Sequence, residues 1–176
     1  MMKLNAKQLR KGLGDRVQGI VKKQEIYIVL DNVLDTYNIG SIFRLADAVA
    51  AKKSYLCGGT EIPPNHRIKK ASINTTEIVD WEYSETALKA IKKLKKEVKN
   101  IQIVSIEQSP KSVQYNTFEY KLPTCLVVGH ESDGISKEVL KISDAIIEIP
   151  MFGINISLNV MVSLGIVLYE VLKHHR

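Results

Sequence analysis

Two strand-length stretches, Ile101 to Ile106 and Cys125-Leu126-Val127-Val128, are dominated by apolar, largely β-branched residues. A strand solvated on one face alternates apolar and polar side chains. One covered on both faces loses that alternation. Both stretches therefore belong in the middle of a sheet with helices packed on either side. The rest of the chain supplies the partners. Glu25 to Leu30 reads as a first strand ending at Asp31, and Asn38 to Ala51 as a helix with Ile42, Phe43, Ala46 and Val49 inward. Lys53 to Gly58 and Ile78 to Trp81 read as further strands. Ser84 can cap a helix whose Ala87, Leu88, Ile91, Leu94 and Val98 form one apolar stripe opposite a row of lysines, which reads as a solvated face. A short helix begins near Ser136, and Ile146 to Ile149 is a strand halted by Pro150. Strands alternating with helices predict an α/β fold, a mostly parallel central sheet with helices on both faces.

The C-terminal stretch narrows this further. After Pro150 the chain turns through Gly153 and Asn155 and re-enters regular structure at Ser157, a residue type that caps helices. From Leu158 to Leu172 the polar Asn159, Ser163 and Glu170 fall near one meridian of a helix otherwise apolar around most of its circumference. Such a helix has to be covered on several sides, and it reads as a core helix with a face open to a partner subunit. At about 15 residues it is shorter than the ~20 a bilayer span needs.

The N-terminal residues 1–24 form a basic extension, with Leu4, Leu9, Leu13, Val17, Ile20 and Val21 spaced as an amphipathic helix interrupted near Gly12 and Gly14; a single domain follows over 25–176. The start lacks the apolar segment of a signal peptide, which makes the cytoplasm the expected location. A formal net charge of +6 favours polyanionic partners. Cys57 and Cys125 have no CxxC neighbour and read as buried thiols.

Ligands of an open parallel sheet collect outside the carboxyl ends of its strands. Three loops leave such ends carrying polar residues and glycines that no core requires: 31–44, 129–136 and 150–159. Several chemistries are excluded by inspection. Gly12-Leu13-Gly14 has Val17 where a dinucleotide fingerprint needs glycine, and there is no GxxxxGK phosphate loop. His130-Glu131 has Gly134 where a zincin needs its second histidine, so no metal site is expected. Glu131 stands where a GxSxG elbow needs serine.

Asn38-Ile39-Gly40-Ser41-Ile42-Phe43-Arg44 resembles the NxGxxxR motif of the SpoU/TrmH-type RNA 2′-O-ribose methyltransferases. Gly129-His130-Glu131-Ser132-Asp133-Gly134-Ile135 resembles their GxExxGI motif, and Ile149-Pro150-Met151 through Ser157-Leu158-Asn159-Val160 their third motif, in family order. The resemblance implies the SPOUT fold with a C-terminal trefoil knot, S-adenosylmethionine as cofactor, tRNA or rRNA as substrate, and a homodimer. It carries catalytic roles to Asn38, Arg44, Glu131, Ser157 and Asn159. It carries cofactor contacts to Ile106, Gly129, Gly134, Ile149, Met151, Ser157 and Leu158. Arg44, with the basic Arg67, Lys69 and Lys70, is the candidate substrate-binding set. The competing reading is a non-catalytic RNA-binding protein of the same fold.

Overall fold

The computed structural model describes Asn5, Gln8 and residues 21–173, so the basic N-terminal helix and nearly all of the expected 1–24 extension lie outside the described residues. Among the described residues seven strands form one sheet: β1 (Gln24–Asp31), β2 (Ala51–Cys57), β3 (Trp81–Ser84), β4 (Gln102–Ile106), β5 (Val113–Gln114), β6 (Thr124–Gly129) and β7 (Ala145–Glu148). Their order is β3-β2-β1-β6-β4-β7-β5 and every pairing is parallel. Among the described residues from 21 on, five helices accompany them: α1 (Thr36–Ala48), α2 (His66–Ser72), α3 (Ala87–Glu97), α4 (Lys137–Ile142) and α5 (Val160–Lys173).

The sheet divides two cores, as its central strands predict. Ile26, Ile28, Leu30, Leu126 and Val128 face one core with residues of α1 and α5; Tyr27, Val29, Ile103, Cys125 and Val127 face the other, with α3 and Val139 of α4. Successive side chains of a strand point to opposite faces, so a stretch apolar at every position serves both cores. Cys57 and Cys125 are buried, free thiols. Burial pushes both up, Cys57 to about 12, which leaves them as small apolar fillers.

Several boundaries differ from the sequence reading, each for a local reason. The third strand is Trp81–Ser84, not Ile78 to Trp81: Asn74 enters the left-handed region (φ 64°), Thr75–Glu77 coil into a 3-10 turn, and Val79 turns into the core beside α1. Ser84 consequently ends a strand, and Thr86 caps α3 by accepting from the Lys89 amide at 3.1 Å. Helix α1 starts at Thr36, capped by Asp35, which puts Asn38 inside the first turn instead of at its edge. At the other end of the chain α5 begins at Val160, with Asn159 instead of Ser157 accepting the first amide, from Met161 at 3.0 Å. The polar tip between Lys111 and Lys121 contributes β5, a two-residue edge strand that the pattern did not announce.

Helix α5 buries Leu164, Val167, Leu168 and Val171 against the sheet, while Val162 and Tyr169 stay exposed on its other sides. Helix α1 is sandwiched differently: α2 crosses it at Gly40, where an added Cβ would stand 2.5 Å from the Ala71 Cβ and 2.8 Å from the Ile68 carbonyl oxygen. The glycine of the first motif is thus a contact between helix backbones. Gly40→Ala is expected to destabilise the protein by about 1–3 kcal/mol through overpacking, measured as a lowered denaturant midpoint at unchanged m-value.

Candidate active site

Asp31 and Gly129, the last residues of β1 and β6, are register partners, so the loops that follow leave the sheet side by side. Glu131 lies two residues beyond β6 and reaches across to the start of α1. Its Oε2 accepts from the Leu34 amide at 3.2 Å, and its Oε1 accepts from the Asp35 amide at 3.1 Å and from Asn38 Nδ2 at 3.0 Å. Asn38 is 1% exposed. With its Nδ2 committed to the carboxylate, its Oδ1 points the other way and accepts from Asn159 Nδ2 at 3.0 Å. Asn159 Oδ1 is occupied in turn by the Met161 amide at the start of α5. One line of hydrogen bonds therefore joins all three loops and fixes the orientation of both amides.

Burial pushes the Glu131 carboxyl up, but the hydrogen bonds from Asn38 and from the Leu34 and Asp35 amides outweigh it and hold the group below the usual carboxylate range. The start of α1 adds the positive end of its dipole. Glu131 is therefore an anion and an acceptor near neutral pH.

Beside this cluster lies a cavity of about 500 Å³ at the carboxyl ends of β6, β4 and β7. Its wall includes every residue expected to hold a cofactor: Ile106, Gly129, Gly134, Ile149, Met151, Ser157 and Leu158. Glu131 and Asn159 line it too. The two glycines in the wall also let backbone lie on backbone. A Cβ on Gly129 would fall 2.3 Å from the Gly134 carbonyl carbon and 2.4 Å from the Ile135 nitrogen, because His130 and Gly134 exchange two backbone hydrogen bonds of 3.0 and 2.9 Å. Gly134 itself has φ +70°. Both are needed for the loop to fold back on itself. His130 Nδ1 accepts from the Ser132 and Asp133 amides, both at 3.1 Å, closing the same turn. Ser157 is exposed on the cavity wall, its amide donating to Asn155 Oδ1 at 3.4 Å.

Arg44 is not in that wall. It stands six residues beyond Asn38 on α1, about 9 Å along the axis at 1.5 Å per residue. It is exposed, and among the described residues it forms no ion pair with Asp47. Arg67, Lys69 and Lys70 are exposed on α2, outside the cavity, with Lys69 paired to Glu77 at 3.1 Å. Three residues of the site went unnoticed in the sequence: Asp31, Glu107 and Gln108. Asp31 is buried and its Oδ2 accepts from the Ser136 amide at 2.9 Å, supporting the second loop from below. Glu107 and Gln108 follow β4 and line the cavity. The available signal was a carboxylate at the carboxyl end of a central strand, where sheet ligands gather.

Residues 25–169 match the model of the SpoU rRNA Methylase family. The chain belongs to this family. It is 37% identical over 154 residues to the tRNA (guanosine(18)-2′-O)-methyltransferase of Aquifex aeolicus, covering 85% of this chain and 69% of that protein. It is 29% identical over 152 residues to the Escherichia coli K12 protein of the same name, covering 85% of this chain and 63% of that one. Among solved structures, the A. aeolicus TrmH/SpoU tRNA modifying enzyme superposes with a TM-score of 0.79 at 30% identity, over 98% of this chain and 85% of that one. An AdoMet-bound rRNA methyltransferase from Sinorhizobium meliloti gives 0.78 at 29% identity, over 94% of this chain and 60% of that one.

In this SpoU-family chain the lowered Glu131 pKa ties stability to pH. The unfolded side chain titrates near 4.5, and the folded one below it. The contribution is therefore complete above the unfolded value and lost as pH falls through the folded one. The stability difference between wild type and Glu131→Gln, read from thermal transitions, is expected to be constant from pH 8 to about 5.5 and to shrink progressively below about 4.5.

Proposed function

We propose that this chain is an S-adenosylmethionine-dependent methyltransferase that methylates the ribose 2′-hydroxyl of a nucleotide in tRNA or rRNA. The observation that carries the reading is the Glu131–Asn38–Asn159 line of hydrogen bonds at the edge of the cavity, which joins three loops distant in sequence. A core needs no such buried amide relay. The names of the Aquifex and Sinorhizobium relatives support the reaction class and the cofactor.

The cavity suits the cofactor. Ile106, Ile149 and Leu158 offer an apolar wall for a purine, and polar groups line the side toward Asn159. Bound there, S-adenosylmethionine supplies an electrophilic methyl group to the ribose 2′ oxygen. The protein's own part is positional. Asn38 and Glu131 hold the loops, and Asn159, pinned by Asn38 on one side and Met161 on the other, presents a fixed edge to the incoming ribose. Ser157 adds a hydroxyl on the same wall.

Arg44 cannot take the ribose proton, because a guanidinium stays charged at any working pH. It clamps a neighbouring phosphate and stabilises the forming alkoxide electrostatically, while the proton leaves through water. Its exposed position outside the cavity wall suits a contact to RNA, and Arg67, Lys69 and Lys70 extend the basic surface on α2. The exposed apolar residues Phe152, Ile154, Val162 and Tyr169 support a homodimer built on the third loop and α5. The hydrogen bond from Gln108 Nε2 to the Ile156 carbonyl, 2.6 Å, links the loop after β4 to the third loop. No helix among the described residues is long and apolar enough to cross a membrane, and cytoplasmic RNA is the proposed setting.

Transfer of a labelled methyl group from S-adenosylmethionine to bulk tRNA and rRNA, followed by mapping of the modified nucleotide, tests the function. Failure to label either RNA would leave the non-catalytic binding protein instead. In the same assay Asn159→Ala is expected to lose at least about a hundredfold in turnover while folding, with a stability cost of about 1–3 kcal/mol from the stranded Asn38 oxygen. Arg44→Lys, which keeps the charge but not the two-pronged donor, should lower kcat/KM for RNA by about tenfold or more without changing cofactor affinity; full activity would rule out the clamp.

A further inference from the structure

Glu107 occupies a place that the mechanism above does not use. It follows β4, its amide donates to the Ile147 carbonyl of β7 at 3.0 Å, and its side chain lines the cavity. Its Oε2 accepts from the Ile135 amide and its Oε1 from the Gln108 amide, both at 2.9 Å. Each carboxylate oxygen accepts more than one hydrogen bond, so both retain capacity toward the cavity. Its place is also enforced: a Cβ on Gly134 would stand 2.1 Å from Oε2, so the glycine of the second motif is what admits this carboxylate.

The sheet order says which part of a ligand it meets. Strands stand about 4.8 Å apart, and β6 separates β1 from β4. The Asn38–Glu131 cluster belongs to the β1 side of β6, and Glu107 to the β4 and β7 side, next in the chain to the apolar Ile106. A nucleoside whose base lies on Ile106, Ile149 and Leu158 presents the hydroxyl pair of its sugar to the nearest paired acceptor. Glu148, also in the wall, accepts from the Ser112 hydroxyl at 2.7 Å; Glu107 is distinguished from it by standing next to Ile106 in the chain and by the glycine that admits it.

We infer that Glu107 is the cofactor-positioning residue that accepts the ribose hydroxyls of the adenosine moiety while holding the Gly134–Ile135 backbone against it. The inference rests on the methyltransferase reading of the cavity. It places the nucleoside end of the cofactor on β4 and leaves the β1 side for the reacting methyl and the RNA. Acidic residues make the same carboxylate-to-ribose contact in dinucleotide-binding sheets, so the chemistry is ordinary and only its place is new.

A thermodynamic cycle by titration calorimetry separates recognition from mere support of the loop. Wild type and Glu107→Gln, which keeps an oxygen for the Ile135 amide, are each titrated with S-adenosylhomocysteine and with its 2′,3′-dideoxy analogue. Wild type is expected to bind the analogue at least about tenfold more weakly, and Glu107→Gln, which gives up only the bond from the Gln108 amide, to lose most of that discrimination while still unfolding in one cooperative thermal transition. Equal binding of the two ligands by wild type overturns the inference whether or not the variant folds. So does a variant weakened equally toward both ligands, which would make Glu107 a loop support, or one weakened toward S-adenosylmethionine but not toward S-adenosylhomocysteine, which would mean charge pairing with the sulfonium. Absence of any binding of S-adenosylhomocysteine by wild type overturns the methyltransferase reading as well.

Discussion

The buried amide of Asn38 is the constraint on which the site depends. Its two ends are spent on Glu131, 93 residues away, and on Asn159, 121 residues away, so a single side chain brings three distant loops to one point. The energetics of such a group are asymmetric. A satisfied hydrogen bond adds about 1 kcal/mol, whereas an orphaned buried acceptor or donor costs about 1–3 kcal/mol. Losing either partner therefore costs more than the bond itself was worth, and the three loops hold their arrangement together or not at all. The amide cannot be replaced by an apolar residue of similar shape, because Glu131 would then be left with fewer donors than its charge needs.

Support for this relay comes from the sheet below it. Parallel strands end at one edge, and the pairing of Asp31 with Gly129 sets the first two loops side by side. Carboxylates then fasten backbone to backbone: the buried Asp31 takes the Ser136 amide, Glu107 the Ile135 amide, Glu131 the Leu34 and Asp35 amides. Each is an acceptor-only group meeting donors that a loop would otherwise leave unpaired. The cavity wall draws on Glu107 and Glu131 and on glycines that let one stretch of backbone lie on another.

How far the sequence could be read depends on whether a feature is local. The apolar central strands, the amphipathic α3 and the buried face of α5 are written in periodicity, and all appear where that periodicity puts them. The three loops were legible as polar interruptions at strand ends, and their motifs pointed to the family. Boundaries were less legible. Ser84 and Ser157 are as good capping residues as Thr86 and Asn159, and the choice between them falls to the pairing of β3 with β2 and to the hydrogen bond that Asn159 makes with Asn38. A two-residue strand such as β5 has too few positions to show any alternation.

The sequence by itself determined that this chain forms a parallel α/β sheet covered on both faces, and which loops carry polar residues without structural excuse, because burial and periodicity act over a few residues at a time. Only the tertiary structure decided that Asn38 faces Glu131 and Asn159, that Gly40 is a helix crossing and Gly129 a backbone crossing, and that Arg44 lies outside the cavity that the second and third loops line. It also decided that Glu107, which in sequence is one more charged residue after a strand, turns into that cavity. These are relations between segments far apart in the chain. The strand order that joins them, with β6 between β1 and β4, leaves no trace in the spacing of residues along any one segment.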